Sequence, residues 1–438
     1  MKLARELGWP DVFRLGLVQG SIGAVVVLMT ATLNRVMVIE LGLPAAVPGA
    51  LVALHFAIQF VARPRLGHQS DAGGPRTRTI LLGMLLLGVA GALSAASVAL
   101  IASHRTLGLV ACVGGFALIG CGVSAAGTPL LALLADGVRA ERRARAAAVV
   151  WLMMIAGFIV TTVLVGNLID PFSWQRLVLV SAGVGAGAIV VSALALLGLE
   201  PARLAPAEAE ARGDFRAALR TAWAHPATRR FAIFVFVAML GYSAQDLVLE
   251  PFAGSVFGLT PGESTKVSGM HQGGMLVGML IAAAFAVRLG GLTLWAAGGC
   301  AISAVAFLLL SATPMAGSLP LLKGVVVLLG VANGAFAIGA IGSMMVRARG
   351  DDAGLRMGIF GAAQAVAYAI GGFLGALGSD VARAALGDSA QGYAAVFVVE
   401  AFLFLAAAVL VKRADEADAQ GLTLTSAAEG DALLAALQ

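Results

Sequence analysis

The sequence predicts an all-α integral membrane fold, twelve transmembrane helices in two pseudo-symmetric six-helix bundles, and three observations carry that prediction. Of 438 residues, 60% are hydrophobic and only 12% charged, too few polar side chains to cover a water-soluble globule. Twelve apolar runs of about 20 residues are each long enough to cross a hydrocarbon core as a helix. The basic residues fall almost entirely in alternate gaps between those runs.

The runs lie at 16–39, 46–62, 79–101, 107–135, 147–168, 177–199, 230–250, 266–287, 291–311, 320–344, 357–378 and 391–411. With the N-terminus inside, one side collects Lys2, Arg5 and Arg14; Arg63, Arg65, Arg76 and Arg78; Arg139, Arg142, Arg143 and Arg145; and Arg203, Arg212, Arg216, Arg220, Arg229 and Arg230. Arg288, Arg347, Arg349, Arg356, Lys412 and Arg413 complete it, 23 of the 29 basic residues. This bias places both termini in the cytoplasm. It also accounts for the net charge of +5: the cations sit at membrane edges rather than in a continuous stripe, so no nucleic-acid partner is expected.

The first run is too long for a signal-peptide core and no small-residue cleavage site follows it, so it is expected to stay in the membrane. Cys112, Cys121 and Cys300 lie inside spans with no metal-ligand or redox spacing and read as small core residues. No phosphate-binding loop, paired-histidine motif or nucleophile elbow occurs, and Gly183, Gly185 and Gly187 fall inside a span rather than after a strand. An enzyme is not expected, nor a resident metal or nucleotide.

Domain boundaries follow from composition: an N-terminal segment 1–15, a bundle 16–199, a linker 200–229, a bundle 230–411 and a tail 412–438. The linker holds Pro201 and Pro206, then a mixed-charge stretch, then a basic amphipathic helix whose Phe215, Leu219 and Trp223 rest on the headgroup boundary. The acidic, alanine-rich tail is expected to be disordered or weakly helical. The halves look like copies of one another, as in transporter folds built from repeated bundles. Asn34-Arg35 followed by Glu40 matches Gln245-Asp246 followed by Glu250, and Glu141 with Arg145 matches Asp352 with Arg356.

Between spans 2 and 3 the chain reads Gly67-His-Gln-Ser-Asp71-Ala-Gly-Gly74-Pro-Arg76-Thr-Arg78. This resembles the cytoplasmic signature of the major facilitator superfamily, although Ala72 and Pro75 stand where that family carries basic residues. Glycines permit the tight turn, and Asp71 is placed to cap span 3 and pair with arginines. With Asp136, Arg142 and Arg145, and with Asp352 and Arg356 in the second half, the loop reads as a cytoplasmic latch between moving elements, or else as an ordinary solvated loop. Glycines at four-residue spacing, such as Gly16 and Gly20, Gly274 and Gly278, and Gly371 and Gly375, let helix backbones approach closely in lipid.

Ionisable groups inside spans are costly unless paired or facing a cavity. Arg35 and Asp246 both fall in the outer third of their spans, and in a pseudo-twofold bundle those spans face each other. Arg35 is therefore expected to pair with Asp246 or Glu250 across the bundle interface, the alternative being that all three are solvated at the water boundary. Without Arg35, repulsion between Asp246 and Glu250, one turn apart, would make a proton site. His55 with Gln59, and His271 with Gln272, present imidazoles that suit an axial ligand of a metal macrocycle, although a core histidine bonded to a neighbouring helix is the reading the sequence favours. Asn333, Gln364, Tyr368 and Glu400 either line the same cavity or join helices.

Five blocks go further: TLNRVMVIELGLPA at 32–45, GHQSD at 67–71, QDLVLEPFAGSVFGLTPGEST at 245–265, NGAFAIGAIGSMM at 333–345 and GLRMGIFGAAQAVAYAIGG at 354–372. They resemble, in order and in both halves, the PucC and LhaA family, the bacteriochlorophyll-delivery branch of the facilitator superfamily. The resemblance implies a protein of the inner, intracytoplasmic photosynthetic membrane that hands bacteriochlorophyll, or a precursor, to antenna polypeptides. It implies as neighbours the light-harvesting α and β polypeptides, bacteriochlorophyll synthase and the membrane insertion machinery. Asn34, Arg35, Glu40, Gln245, Asp246, Glu250, Asn333 and Gln364 lie in these blocks; His55 and His271 are the possible pigment ligands. A proton-coupled secondary transporter of a small solute is the competing class.

Overall fold

The twelve expected spans are twelve helices in a computed structural model that describes residues 6–71, 75–199, 220, 223–286, 288–347 and 353–436. In the first bundle they are α1 (Trp9–Ile39), α2 (Ala46–Asp71), α3 (Arg76–Ile101), α4 (Arg105–Gly137), α5 (Ala140–Leu168) and α6 (Trp174–Leu196). The second holds α7 (Pro226–Phe257), α8 (Pro261–Phe285), α9 (Gly291–Ala316), α10 (Leu319–Arg347), α11 (Ala353–Leu386) and α12 (Ser389–Ala436). Residues 200–219 of the linker, with Phe215 and Leu219, lie outside the described residues; Trp223 is exposed. Of the two forms expected for the tail the helical one is seen, since α12 carries on through it to Ala436.

Most helices run past their expected spans because hydropathy marks the apolar middle, whereas caps mark the ends. The chain enters α1 at Gly8, whose N–H donates to the Asp11 carboxylate at 3.0 Å, with Pro10 in the first turn. α8 opens with a reciprocal cap: Thr260 Oγ1 accepts the Glu263 N–H at 3.2 Å and Glu263 accepts the Thr260 N–H at 3.0 Å. α7 passes through Pro251, which neighbouring helices make tolerable in a membrane, and stops at Gly258, whose φ of +66° favours glycine.

Packing repeats between the halves. α1 lies on α5 and α6, α2 on α4, and α3 on α4 and α6; α7 lies on α11 and α12, α8 on α10, and α9 on α10 and α12. The bundles meet through α5 against α8 and α2 against α11, which the same correspondence exchanges, and through the last turns of α1 against α7. Backbone contact is close: a Cβ on Gly120 would sit 2.7 Å from the His55 carbonyl, and one on Gly330 would collide with the His271 carbonyl. These are the same contact in the two halves. The first core is mostly aliphatic; the second is a lattice of edge-to-face rings, with Phe252 packed on Phe397 at 4.9 Å and Phe231 on Phe360 at 4.9 Å. Val160, Leu179, Leu194 and Phe402 point outward and are largely exposed, as lipid-facing side chains should be.

Candidate functional site

One end of the bundle carries the arginine-rich α2–α3 and α4–α5 connections and is called here the basic end; the other is the far end. At the far end α1 contains a six-residue π-helical segment, Leu28–Leu33, a local widening common at functional positions. Directly after it, Asn34 Nδ2 donates to the Leu247 carbonyl of α7 at 2.8 Å. Arg35 is buried and donates to the Leu259 carbonyl at 2.7 Å and to Ser264 Oγ at 3.4 Å. Its remaining arm pairs with Glu40 at 2.5 Å. Thr32 and Thr265 hydroxyls meet across the same seam at 3.2 Å.

Arg35 therefore pairs with Glu40 of its own segment and not with Asp246. Its guanidinium lies beside Gly254, where an added Cβ would be 3.1 Å from Nη2, and eight residues of helix from Asp246 is about 12 Å. The expected pairing with Asp246 fails because α7 continues well past Glu250, which leaves Asp246 mid-span rather than in the outer third; Glu250, the other expected partner, stays within electrostatic reach of Arg35. The proposed match of Asn34-Arg35 with Gln245-Asp246 shifts for the same reason. One offset relates Pro10 to Pro226 and His55 to His271, and it sets Asn34 opposite Glu250. Glu250 is fully buried within electrostatic reach of Arg35 and faces Thr265 and Ser268, yet neither carboxylate oxygen has a hydrogen bond of good geometry.

At the centre of the second bundle four helices contribute one polar side chain each. Gln245 of α7 donates to His271 Nε2 of α8 at 2.8 Å; Asn333 of α10 donates to Gln245 Oε1 at 2.9 Å and lies 3.2 Å from His271 Nε2; Ser303 of α9 donates to Asn333 Oδ1 at 2.8 Å. All four are buried. Amide nitrogens only donate, so His271 Nε2 is an acceptor and the ring is the neutral Nδ1–H tautomer. His55 shows the same arrangement in the first bundle, its Nε2 accepting from Gln59 at 2.6 Å while Gln59 Oε1 accepts from Arg63 at 2.5 Å. The lone pair that a macrocyclic magnesium would take is thus already engaged in both histidines. Gln364 stands apart, half-buried, with its amide 3.7 Å from the Met239 sulfur. Asp246 shares its surroundings with Tyr242, Tyr368 and Glu400, and the buried Glu400 carboxylate has no hydrogen-bond partner.

At the basic end Arg76, buried at the start of α3, pairs with Asp136 near the end of α4 at 2.6 Å. That pair joins α3 to α4 within the first bundle. Arg142 and Arg145 stand exposed on α5. Gly74 and Asp352, the surroundings of Gly67, and the side chains of Asp71 and Arg356 lie outside the described residues.

Three polar residues escaped the sequence reading. Ser303 offers no signal, being one serine in an apolar run. Asp170 and Asp380 do offer one, an acid in the corresponding place of each half. Asp380 accepts the backbone N–H groups of Ala45 and Ala46 at 3.0 and 2.7 Å, and Asp170 accepts the Gly262 N–H at 3.2 Å and the Thr260 hydroxyl at 2.6 Å.

Two six-helix bundles with matching internal contacts, apolar outside and polar along their centres and seam, define a membrane protein of the major facilitator type. The fold agrees with that of a bacterial homologue of the human lysosomal transporter Spinster, solved in an inward-facing and unoccupied conformation, at a TM-score of 0.70 and 16% identity over 93% of this chain and 96% of that one. Within that class, the family described as PUCC protein matches residues 32–418, and the chain belongs to it. The "Bacteriochlorophyll synthase 44.5 kDa chain" of Rhodobacter capsulatus is 46% identical over 412 residues, 92% of this chain and 95% of its own. "Protein PucC" of Rhodovulum sulfidophilum is 27% identical over 87% of each chain. The resemblance read from the five sequence blocks is borne out.

Proposed function

We propose that this protein is a membrane assembly factor for bacterial light-harvesting antenna complexes, handling bacteriochlorophyll or a precursor and delivering it to the antenna polypeptides. The observation that carries the reading is the near end-to-end match, at 46% identity, to a relative whose name ties it to bacteriochlorophyll. The light-harvesting α and β polypeptides are the receiving partners, with bacteriochlorophyll synthase and the insertion machinery as neighbours. The arginine-rich end supports an orientation with both termini cytoplasmic in the photosynthetic inner membrane.

A carrier rather than a synthase is supported by membership of the family and by the fold shared with solved transporters. The engagement of both histidine Nε2 atoms supports a lipid-facing surface as the pigment's seat. Gly183 and Gly187 leave a smooth exposed strip on α6 of the kind that suits a flat ring. The second reading, a proton-coupled transporter, draws on Glu250 and Glu400, buried carboxyl groups without hydrogen bonds.

Purification in mild detergent from a phototrophically grown host, with a near-infrared spectrum and a pigment count per chain, tests the proposal. About one bacteriochlorophyll per chain, retained in His55→Leu and His271→Leu variants, supports surface carriage. Loss of pigment in either variant moves the site to that histidine. A colourless preparation holding antenna polypeptides leaves an assembly role without pigment, and one with neither overturns the proposal in favour of solute transport.

A further inference from the structure

The two acids that the sequence reading missed make one device. Asp170 follows α5 in the first bundle and reaches the N-terminus of α8 in the second; Asp380 lies in α11 of the second and reaches the N-terminus of α2 in the first. α5 against α8 and α11 against α2 are equivalent contacts under the correspondence that relates the halves. The offset that superposes His55 on His271 also superposes Ala46 on Gly262, so each acid meets the same backbone N–H of its target helix. Orphan N–H groups at a helix start carry partial positive charge, and a carboxylate accepting from them makes a charge-assisted cap. Here both caps are supplied across the bundle interface.

Supporting groups hold each acid in place. Arg383, one turn along α11, pairs with Asp380 and lies over the Tyr393 ring at 5.2 Å. Thr260 donates its hydroxyl to Asp170 while accepting the Glu263 N–H, so one side chain serves both the helix's own cap and the cross-bundle one. Backbones are close beside both: a Cβ on Gly49 would lie 2.9 Å from that of Ala376, and one on Gly166 would lie 2.8 Å from the Gly262 carbonyl. The hydrogen bonds that join two described residues of opposite bundles lie in the far half.

We propose that Asp170 and Asp380 are a reciprocal pair of latches that hold the far end of the two bundles closed, and that opening of that end requires both caps to part. The inference goes beyond the proposed function and does not depend on the cargo.

The test reads how often the far end opens. Thr265, buried in the seam against Thr32, is replaced by cysteine in a Cys121→Ser background, Cys112 and Cys300 being buried. Its labelling rate is followed in spheroplasts with a membrane-impermeant maleimide. Because the rate scales with the open fraction, Asp170→Ala and Asp380→Ala are each expected to raise it about fivefold, the ordinary worth of one helix cap, and the double variant about 25-fold if the caps are independent. Asn at either position keeps an acceptor without the charge and should fall between. Glu263→Ala, which removes a cap inside α8 but none across the seam, should leave the rate near the parent's. An unchanged rate in the double alanine variant overturns the proposal, as does a Glu263→Ala effect equal to that of Asp170→Ala. Where the alanine pair does not yield a monodisperse protein, the asparagine pair decides by the same criterion.

Discussion

Replacing Asn333 with leucine removes the hub of the central polar network while nearly keeping its shape. Asn333 accepts from Ser303 and donates toward Gln245 and His271, three interactions at 2.8, 2.9 and 3.2 Å. In a water-soluble core, stranding three buried partners would cost about 1–3 kcal/mol each. Inside a membrane the unfolded reference also finds partners, and measured interhelical bonds average about 0.6 kcal/mol with a maximum near 1.7. The membrane value governs here, giving about 2 kcal/mol for the set. If the second bundle unfolds as a unit, that lowers the midpoint of thermal unfolding in detergent by about 4–8 °C. Ser303→Ala removes one bond of the three and should cost about a third as much. The assay is the loss of the monodisperse peak on size-exclusion chromatography after heating. If Asn333→Leu proves no worse than Ser303→Ala, the network is not a cooperative joint of four helices and the reasoning fails.

Arg35→Glu should cost about 3–5 kcal/mol, since it leaves buried groups unpaired and adds repulsion against Glu40. Combining it with Glu40→Arg should restore thermal stability, whereas Arg35→Asp with Asp246→Arg should not. Gly278→Val drives a side chain into the Val331 backbone and should destabilise by about 1–3 kcal/mol; Gly273→Val, in open space earlier on the same helix, should stay within about 0.5 kcal/mol of the parent, both read as midpoint shifts in the same detergent. Asp136→Asn should cost only about 1 kcal/mol because its side chain is 32% exposed. It should leave the maleimide labelling rate at the far end unchanged, since its pair with Arg76 does not cross between bundles.

Spans and their polarity were legible because hydropathy and charge are local properties that the bilayer reads one segment at a time. Helix ends were less so: α1 begins at Trp9 rather than 16 because Asp11 and Pro10 favour an earlier start, and polar caps have no hydropathy signal. Arg35 stood out as a buried cation, but its partner depended on relative depth. That depth follows from α7 running on through Pro251 and from the π-helical segment Leu28–Leu33, and an apolar run such as LMTATL gives no warning of such a segment. With the histidines the same boundary appears. Their presence inside spans was readable, while the occupation of both Nε2 atoms required knowing which amides surround them.

The distribution of contacts argues for how the molecule can move. Within a bundle, helices are locked by backbone approaches at Gly83, Gly120, Gly278 and Gly330 that admit no extra atom, and interiors packed this way have discrete arrangements rather than continuous deformations. Between bundles, the described hydrogen bonds are a short far-end set anchored on Asn34, Arg35, Asp170 and Asp380. Parting that set exchanges charge-assisted caps for water at the membrane surface, where the freed N–H groups and carboxylates find new partners. Parting a bundle interior would strand Asn333 and His271 in hydrocarbon. The low-cost motion is therefore one bundle against the other, with the Arg76–Asp136 pair travelling inside the first.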